Sequence, residues 1–115
     1  MSRMPLGRRV KPPSGRDPSV LFRIPRRPCA VPAFGYDLWR CYELYWLNGN
    51  GRPQAGILEL AYPASTGFIV ESKSLKLYLS GISSERSESG PALEKALTED
   101  LERAIEPDWI SVRAA

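Results

Sequence analysis

Histidine is absent from these 115 residues. Its absence removes the imidazole ligands of the usual zinc sites, the serine triads and the histidine general bases. Chemistry here has to come from carboxylates, lysines or a bound cofactor. Cysteine is scarce, with only Cys29 and Cys41. Two thiols make no disulfide framework, and both are read as reduced and structural. No apolar run is long enough to cross a bilayer, and the opening residues lack the apolar core of a secretory signal. The default expectation is a cytosolic protein.

What is present is ordinary for a globular chain: 43% hydrophobic and 25% charged residues, enough for one small domain with one core. The net charge of +3 conceals an asymmetry. Residues 1–32 carry eight basic side chains (Arg3, Arg8, Arg9, Lys11, Arg16, Arg23, Arg26, Arg27) against the single acid Asp17, whereas the remainder carries eight basic and twelve acidic residues. A basic arm can contact phosphate backbones. The plainer reading is a solvated or partner-docking tail, favoured because no stacked-aromatic pattern interleaves the arginines.

Prolines 12, 13, 18, 25, 28 and 32 forbid a continuous helix or a central strand in that arm. Its apolar cluster, Val20 to Ile24, is expected to dock as an extended segment. The chain then divides into an arm, 1–32, and a folded unit, 33–115. Asp37 to Leu47 is rich in aromatics and reads as a strand. Strict alternation would put Leu38, Tyr42, Leu44 and Trp46 on one face, and Trp39, Cys41, Tyr45 and Leu47 on the other, so that both faces are covered. Asn48-Gly49-Asn50-Gly51 signals a hairpin. Gln54 to Tyr62 is a second strand ended by Pro63, and a loop leads on to Phe68–Glu71.

Lys73 to Ser80 is ambiguous. Leu75, Leu77 and Leu79 alternate as in a strand, but Leu75, Tyr78, Leu79 and Ile82 fit a helical stripe. A clearer helix starts at Gly90-Pro91, with proline in the first turn. It carries the stripe Leu93, Ala96, Leu97, Leu101, Ala104, Ile105, a possible Glu99–Arg103 pair on its exposed side, and a stop at Pro107. Trp109 to Val112 reads as a third strand.

The informative run is Glu71-Ser72-Lys73-Ser74-Leu75-Lys76-Leu77-Tyr78. Taken alone, its charges could be a solvated face. The run nevertheless resembles the signature of the QueF family, the NADPH-dependent 7-cyano-7-deazaguanine reductases, at every position. Leu21-Phe22, Ile24-Pro25-Arg26, Asp37-Leu38-Trp39, Tyr42-Glu43-Leu44 and Trp46-Leu47-Asn48 are similar to the amino-terminal half of its bimodular members. The resemblance runs from about Leu6 to Val112. It implies an α+β tunnelling fold (T-fold): an antiparallel sheet with two helices after the second strand, the Lys73–Ser80 segment being the first helix. The fourth strand of such a unit is missing, which supports a truncated or split chain.

The resemblance also implies a chemistry. A nitrile becomes a primary amine with two hydrides from two NADPH molecules, after a cysteine thiolate has trapped the nitrile and with an aspartic acid as proton source. Val70, Glu71 and Ser72 are the expected substrate contacts, with Glu71 accepting two adjacent N–H groups of the deazapurine. Ser72 and Lys73 are the expected NADPH contacts, while Lys76 and Tyr78 shape and support the site. Where single-module members carry the nucleophile and the acid, this chain has Asn48 and Ala55. Those groups are then expected from a carboxy-terminal half, in a homo-oligomeric assembly, leaving this chain with no catalytic residue and no metal ligand of its own. Cys41, inside an apolar strand, is an inert thiol, and Cys29 is a poor substitute. Zinc-dependent relatives of the same fold act on pterins and GTP, and the lack of histidine argues against them. The competing reading is a non-catalytic basic RNA-binding or scaffold module.

Overall fold

The computed structural model describes residues 15–27 and 35–114, apart from the side chains of residues 41–43. The expectations for Cys29, for the side chains of Cys41 and Tyr42, and for the arm before Gly15 fall outside this set.

Two long strands dominate: β2 (Tyr36–Leu47) and β3 (Pro53–Pro63), paired antiparallel from Tyr36↔Pro63 to Leu47↔Pro53. The turn between them is wider than a two-residue Asn-Gly hairpin. The Asn48 side-chain oxygen accepts from the amides of Asn50 and Arg52, both at 2.9 Å. Gly51 closes the turn at φ +79°, and a Cβ there would lie 2.9 Å from the Arg86 guanidinium. The positive φ favours glycine at that point, whereas the guanidinium, at the end of a flexible side chain, could move aside.

The alternation expected along β2 does not hold. Cys41 pairs with Leu58 but Leu44 pairs with Gly56, so one extra residue enters β2 between them. This bulge inverts the phase of the strand. Trp39, rather than Leu38, shares the core side with Leu44 and Trp46. Nor are both faces covered. Tyr36, Leu38, Tyr45 and Ile57 stand exposed on the side away from the helices, and Trp109 meets Tyr36 edge-on at 6.2 Å.

A third strand, β5 (Ser111–Ala114), pairs antiparallel with β3 and completes the order β2-β3-β5. It begins two residues later than expected, leaving Trp109 outside it. Two further short strands form a separate ribbon. β1 (Arg23–Pro25), from the arm, pairs antiparallel with β4 (Phe68–Val70). The arm reaches it through a 3-10 turn at Pro18–Val20. Val20 and Leu21 pack against the core, so these arm residues are part of the folded body.

Both helices lie between β4 and β5 in the chain. Helix α1 (Ser72–Ile82) resolves the ambiguity over Lys73–Ser80 in favour of the helical stripe, burying Leu75, Tyr78, Leu79 and Ile82. Helix α2 (Gly90–Ile105) has Ser89 as its N-cap, accepting from Ala92 N–H at 3.1 Å, and ends at Glu106 in the left-handed region ahead of Pro107. Leu93, Leu97, Leu101 and Ile105 join Leu44, Leu58, Leu60 and Tyr62 in the core. The architecture is therefore α+β, with antiparallel sheets and two helices after the second long strand.

Asp100 is buried with that apolar stripe. It accepts from Arg16 Nε at 2.6 Å, from Arg16 Nη2 at 2.7 Å and from the Tyr78 hydroxyl at 2.5 Å. One aspartate thus ties the arm, α1 and α2 together. Glu99, expected to pair with Arg103, has its carboxylate 3.9 Å from Arg16. Donation to Asp100 raises the Arg16 pKa further above its ordinary value, which leaves it charged at any working pH. Burial, and then donation to Asp100, push the Tyr78 phenol well above its ordinary range. The unfolded phenol titrates near pH 10. Stability from this group is therefore full below about pH 10 and falls as pH rises beyond it, because the unfolded chain loses the proton first. Denaturant midpoints should fall as pH rises above about 10, and Tyr78→Phe should flatten the drop. An equally steep fall in the variant would assign the alkaline sensitivity elsewhere.

Candidate functional site

The residues singled out in the sequence lie at the junction of β4 and α1. Val70 ends β4 and is 1% exposed. Glu71 is the N-cap of α1. Its Oε1 accepts from Lys73 N–H at 2.9 Å and its Oε2 from Ser74 N–H at 2.6 Å. The carboxylate thus satisfies two of the amides that a helix start leaves unpaired, where the positive end of the helix dipole favours an anion. An ionised carboxylate has about four lone-pair sites. With one bond on each oxygen, Glu71 keeps capacity to accept two more donors.

The main chain of Glu71 is equally constrained. Its N–H donates to Phe22 O at 2.9 Å, and its carbonyl accepts from Leu75 N–H at 3.0 Å and from the Ser74 hydroxyl at 2.8 Å. Ser74, fully buried, also accepts from Phe22 N–H at 2.9 Å. The arm therefore braces the start of α1 through Phe22. At the other end of the ribbon, Arg26 donates to Thr66 O at 2.7 Å and to Asp37 at 2.8 Å. That ties the β3–β4 loop to β2.

Ser72 and Lys73 are exposed at the start of α1, and Lys76 is exposed one turn on. An ammonium beside a hydroxyl suits a phosphate. The helix amides do not add to that site as expected, since Glu71 already occupies those of Lys73 and Ser74. Tyr78 faces the interior and supports α1 from beneath through Asp100. Asn48 and Ala55 stand apart from this junction: Asn48 organises the β2–β3 turn, and Ala55 is exposed in β3 opposite Tyr45. An open depression of about 470 Å³ on α2 is lined by Glu99, Glu102, Arg103, Glu106 and Pro107, with none of Val70–Lys73 among them.

Several contributors escaped the sequence reading: Phe22, Ser74, Asp100 and Arg16. Asp100 left a signal, because it falls three residues after Leu97 and seven after Leu93, on the apolar face of α2. Ser74 is likewise a small polar residue within the buried stripe of α1. Arg16 and Phe22 left none, since their partners are distant in sequence.

A family profile described as the amino-terminal part of nitrile reductase, 7-cyano-7-deazaguanine-reductase, matches residues 14–113. Curated relatives carry the name NADPH-dependent 7-cyano-7-deazaguanine reductase. The one from Bordetella pertussis is 41% identical over 112 residues, covering 90% of this chain and 41% of the relative. The one from Stenotrophomonas maltophilia is 40% identical over 105 residues, covering 84% and 39%. That from Cupriavidus taiwanensis is 42% identical over 110 residues, covering 87% and 40%. The chain spans about two fifths of the length of these relatives.

Proposed function

Since the chain belongs to the family of nitrile reductase, 7-cyano-7-deazaguanine-reductase amino-terminal domains, we propose that it is the substrate- and cofactor-binding half of an NADPH-dependent enzyme. That enzyme reduces 7-cyano-7-deazaguanine to 7-aminomethyl-7-deazaguanine in queuosine biosynthesis. The fold would be the T-fold, with residues 1–32 as a basic arm that lends β1 and Val20–Leu21 to the half-domain of 33–115, assembled into a homo-oligomer. The observation that carries this reading is the Glu71 carboxylate, fixed by two amide donors yet able to accept two more.

The deazapurine offers a ring N–H and an exocyclic amine side by side. Glu71 would take both as a charge-assisted pair, with Val70 and Ser72 flanking the ring. Because its own amide and carbonyl are bonded and the Lys73 and Ser74 amides hold its oxygens, the carboxylate is in place before the ligand arrives. The exposed Ser72 hydroxyl and Lys73 ammonium fit a cofactor phosphate by their chemistry. NADPH, when bound, supplies the two hydrides that nitrile reduction needs.

Ser72 and Lys73 are exposed and Glu71 is half-buried, whereas a ligand pocket encloses most of its ligand. The other walls would come from a carboxy-terminal half. The nucleophile and proton donor would come from there too, because Asn48 builds a turn and the methyl group of Ala55 carries no proton to give. Among the described residues of the arm, Arg16 and Arg26 are committed to Asp100 and Asp37 within the chain, which takes those two charges away from the RNA-binding alternative.

The purified chain is expected to show no nitrile-dependent NADPH oxidation alone, and to gain it when a carboxy-terminal half carrying the cysteine and aspartate is supplied. Turnover by the chain alone, unaffected by Cys29→Ala, would overturn the division of labour.

A further inference from the structure

The residues just before α1 are gripped from two sides. Toward the arm, Glu71 N–H donates to Phe22 O. Toward the sheet, Val70 N–H donates to the Tyr62 hydroxyl at 3.3 Å. Tyr62 lies in β3 and is fully buried. The Trp39 indole N–H, from β2, donates to the same hydroxyl oxygen at 3.1 Å. One phenolic oxygen therefore accepts from two strands while belonging to a third. β4 is not part of the sheet that contains β2 and β3. Tyr62 thus makes a polar link between the rigid sheet and the small ribbon that leads into Glu71.

We propose that Tyr62 is a positioning residue of the substrate site, its hydroxyl setting where Val70, and so the Glu71 carboxylate, stands relative to the sheet. The inference rests on the substrate role proposed for Glu71 and adds a residue outside the Glu71–Tyr78 signature.

The physical reason lies in which part yields when the hydroxyl is lost. Tyr62→Phe keeps the ring and its packing but leaves two donors without their acceptor. Trp39 is only partly buried and its indole N–H can turn toward water. Val70 is 1% exposed, so its amide finds no water unless the backbone moves. β4 has three residues and one three-residue partner, β1, whereas β3 pairs along most of its length. The weakly held ribbon is the part that shifts. A displacement well below 1 Å at a charged bidentate contact is enough to weaken it.

The test uses the chain assembled with its carboxy-terminal half, with 7-cyano-7-deazaguanine as the titrant. Tyr62→Phe should raise its Kd about tenfold. Leu58→Val, a buried β3 change that removes no hydrogen bond, should lower the melting temperature and leave the Kd unchanged. Trp39→Phe, which releases the tyrosine from its second partner, should shift the Kd in the same direction by less. It also serves as the test if Tyr62→Phe does not fold. In the chain alone, amide exchange at Val70 should quicken in Tyr62→Phe and stay unchanged in Leu58→Val. The proposal is overturned if Tyr62→Phe binds within twofold of the unmodified protein while Glu71→Ala loses binding. Normal binding by Glu71→Ala itself would remove the site, and the positioning role with it.

Discussion

Replacing Asp100 with alanine should cost the fold about 3–4 kcal/mol, read as a drop in denaturant midpoint at unchanged slope. The carboxylate accepts three hydrogen bonds, and its side chain is only 2% exposed. Alanine leaves the Tyr78 hydroxyl buried without its acceptor, a loss of about 1–3 kcal/mol. It also leaves Arg16 without its counter-charge. Arg16 is 32% exposed and partly regains water, which keeps the total toward the lower end of what breaking a buried ion pair costs. Arg16→Met is the complementary experiment: it leaves the buried carboxylate without its counter-charge and should lower the denaturant midpoint as well. Adding Asp100→Leu to Arg16→Met should recover part of the loss, because a buried pair exchanged whole for apolar groups is often close to neutral. A loss below about 0.5 kcal/mol for Asp100→Ala would mean that the aspartate is solvated and the network is not as drawn.

The second large effect concerns Glu71→Ala, which should act twice. In the chain alone it removes the N-cap of α1 and should destabilise by about 1 kcal/mol. In the assembled enzyme the proposed recognition role predicts a further loss of about 2–4 kcal/mol in binding of 7-cyano-7-deazaguanine, because two purine donors lose their acceptors. Glu71→Gln separates the two effects. Its carbonyl oxygen can still accept from one helix amide, but its NH2 group opposes a purine donor. A modest stability change with nearly the full binding loss is the expected outcome. Unchanged calorimetric affinity in both variants would strip Glu71 of the recognition role and leave it a helix cap.

What sequence alone could reach followed the range of each interaction. The two long strands, α2 and its proline stop were readable because turn residues and periodicity are local. The α1 segment was not, because Leu75, Leu77 and Leu79 fit a strand while Leu75, Tyr78, Leu79 and Ile82 fit a helix, and only the resemblance chose the helix. The β2 bulge was out of reach. It exists only as a mismatch of registers between Cys41–Leu44 and Gly56–Leu58, and that mismatch decides which aromatic faces the core. The same holds for β4, whose partner is a strand in a proline-rich arm. For the candidate site, only the resemblance pointed to Val70, Glu71, Ser72 and Lys73, and composition and periodicity gave no reason to prefer them. The capping geometry, which takes up the Lys73 and Ser74 amides with Glu71 rather than with a ligand, emerged only from the fold. Asp100 was the missed opportunity, since a charge on an otherwise apolar helix face announces a partner even when the partner is hidden.

The clasp between Arg16 and Asp100 joins residues 84 positions apart. On a ribosome the arm emerges early and waits while the strands and both helices are made. Its guanidinium has no aspartate to close on until α2 has left the exit tunnel. The ribbon and Phe22 can bind the later part of the arm once β4 and α1 are made, but its Arg16 end closes only afterwards, so a nascent chain stalled inside α2 would carry a finished hairpin beside a half-fastened strap.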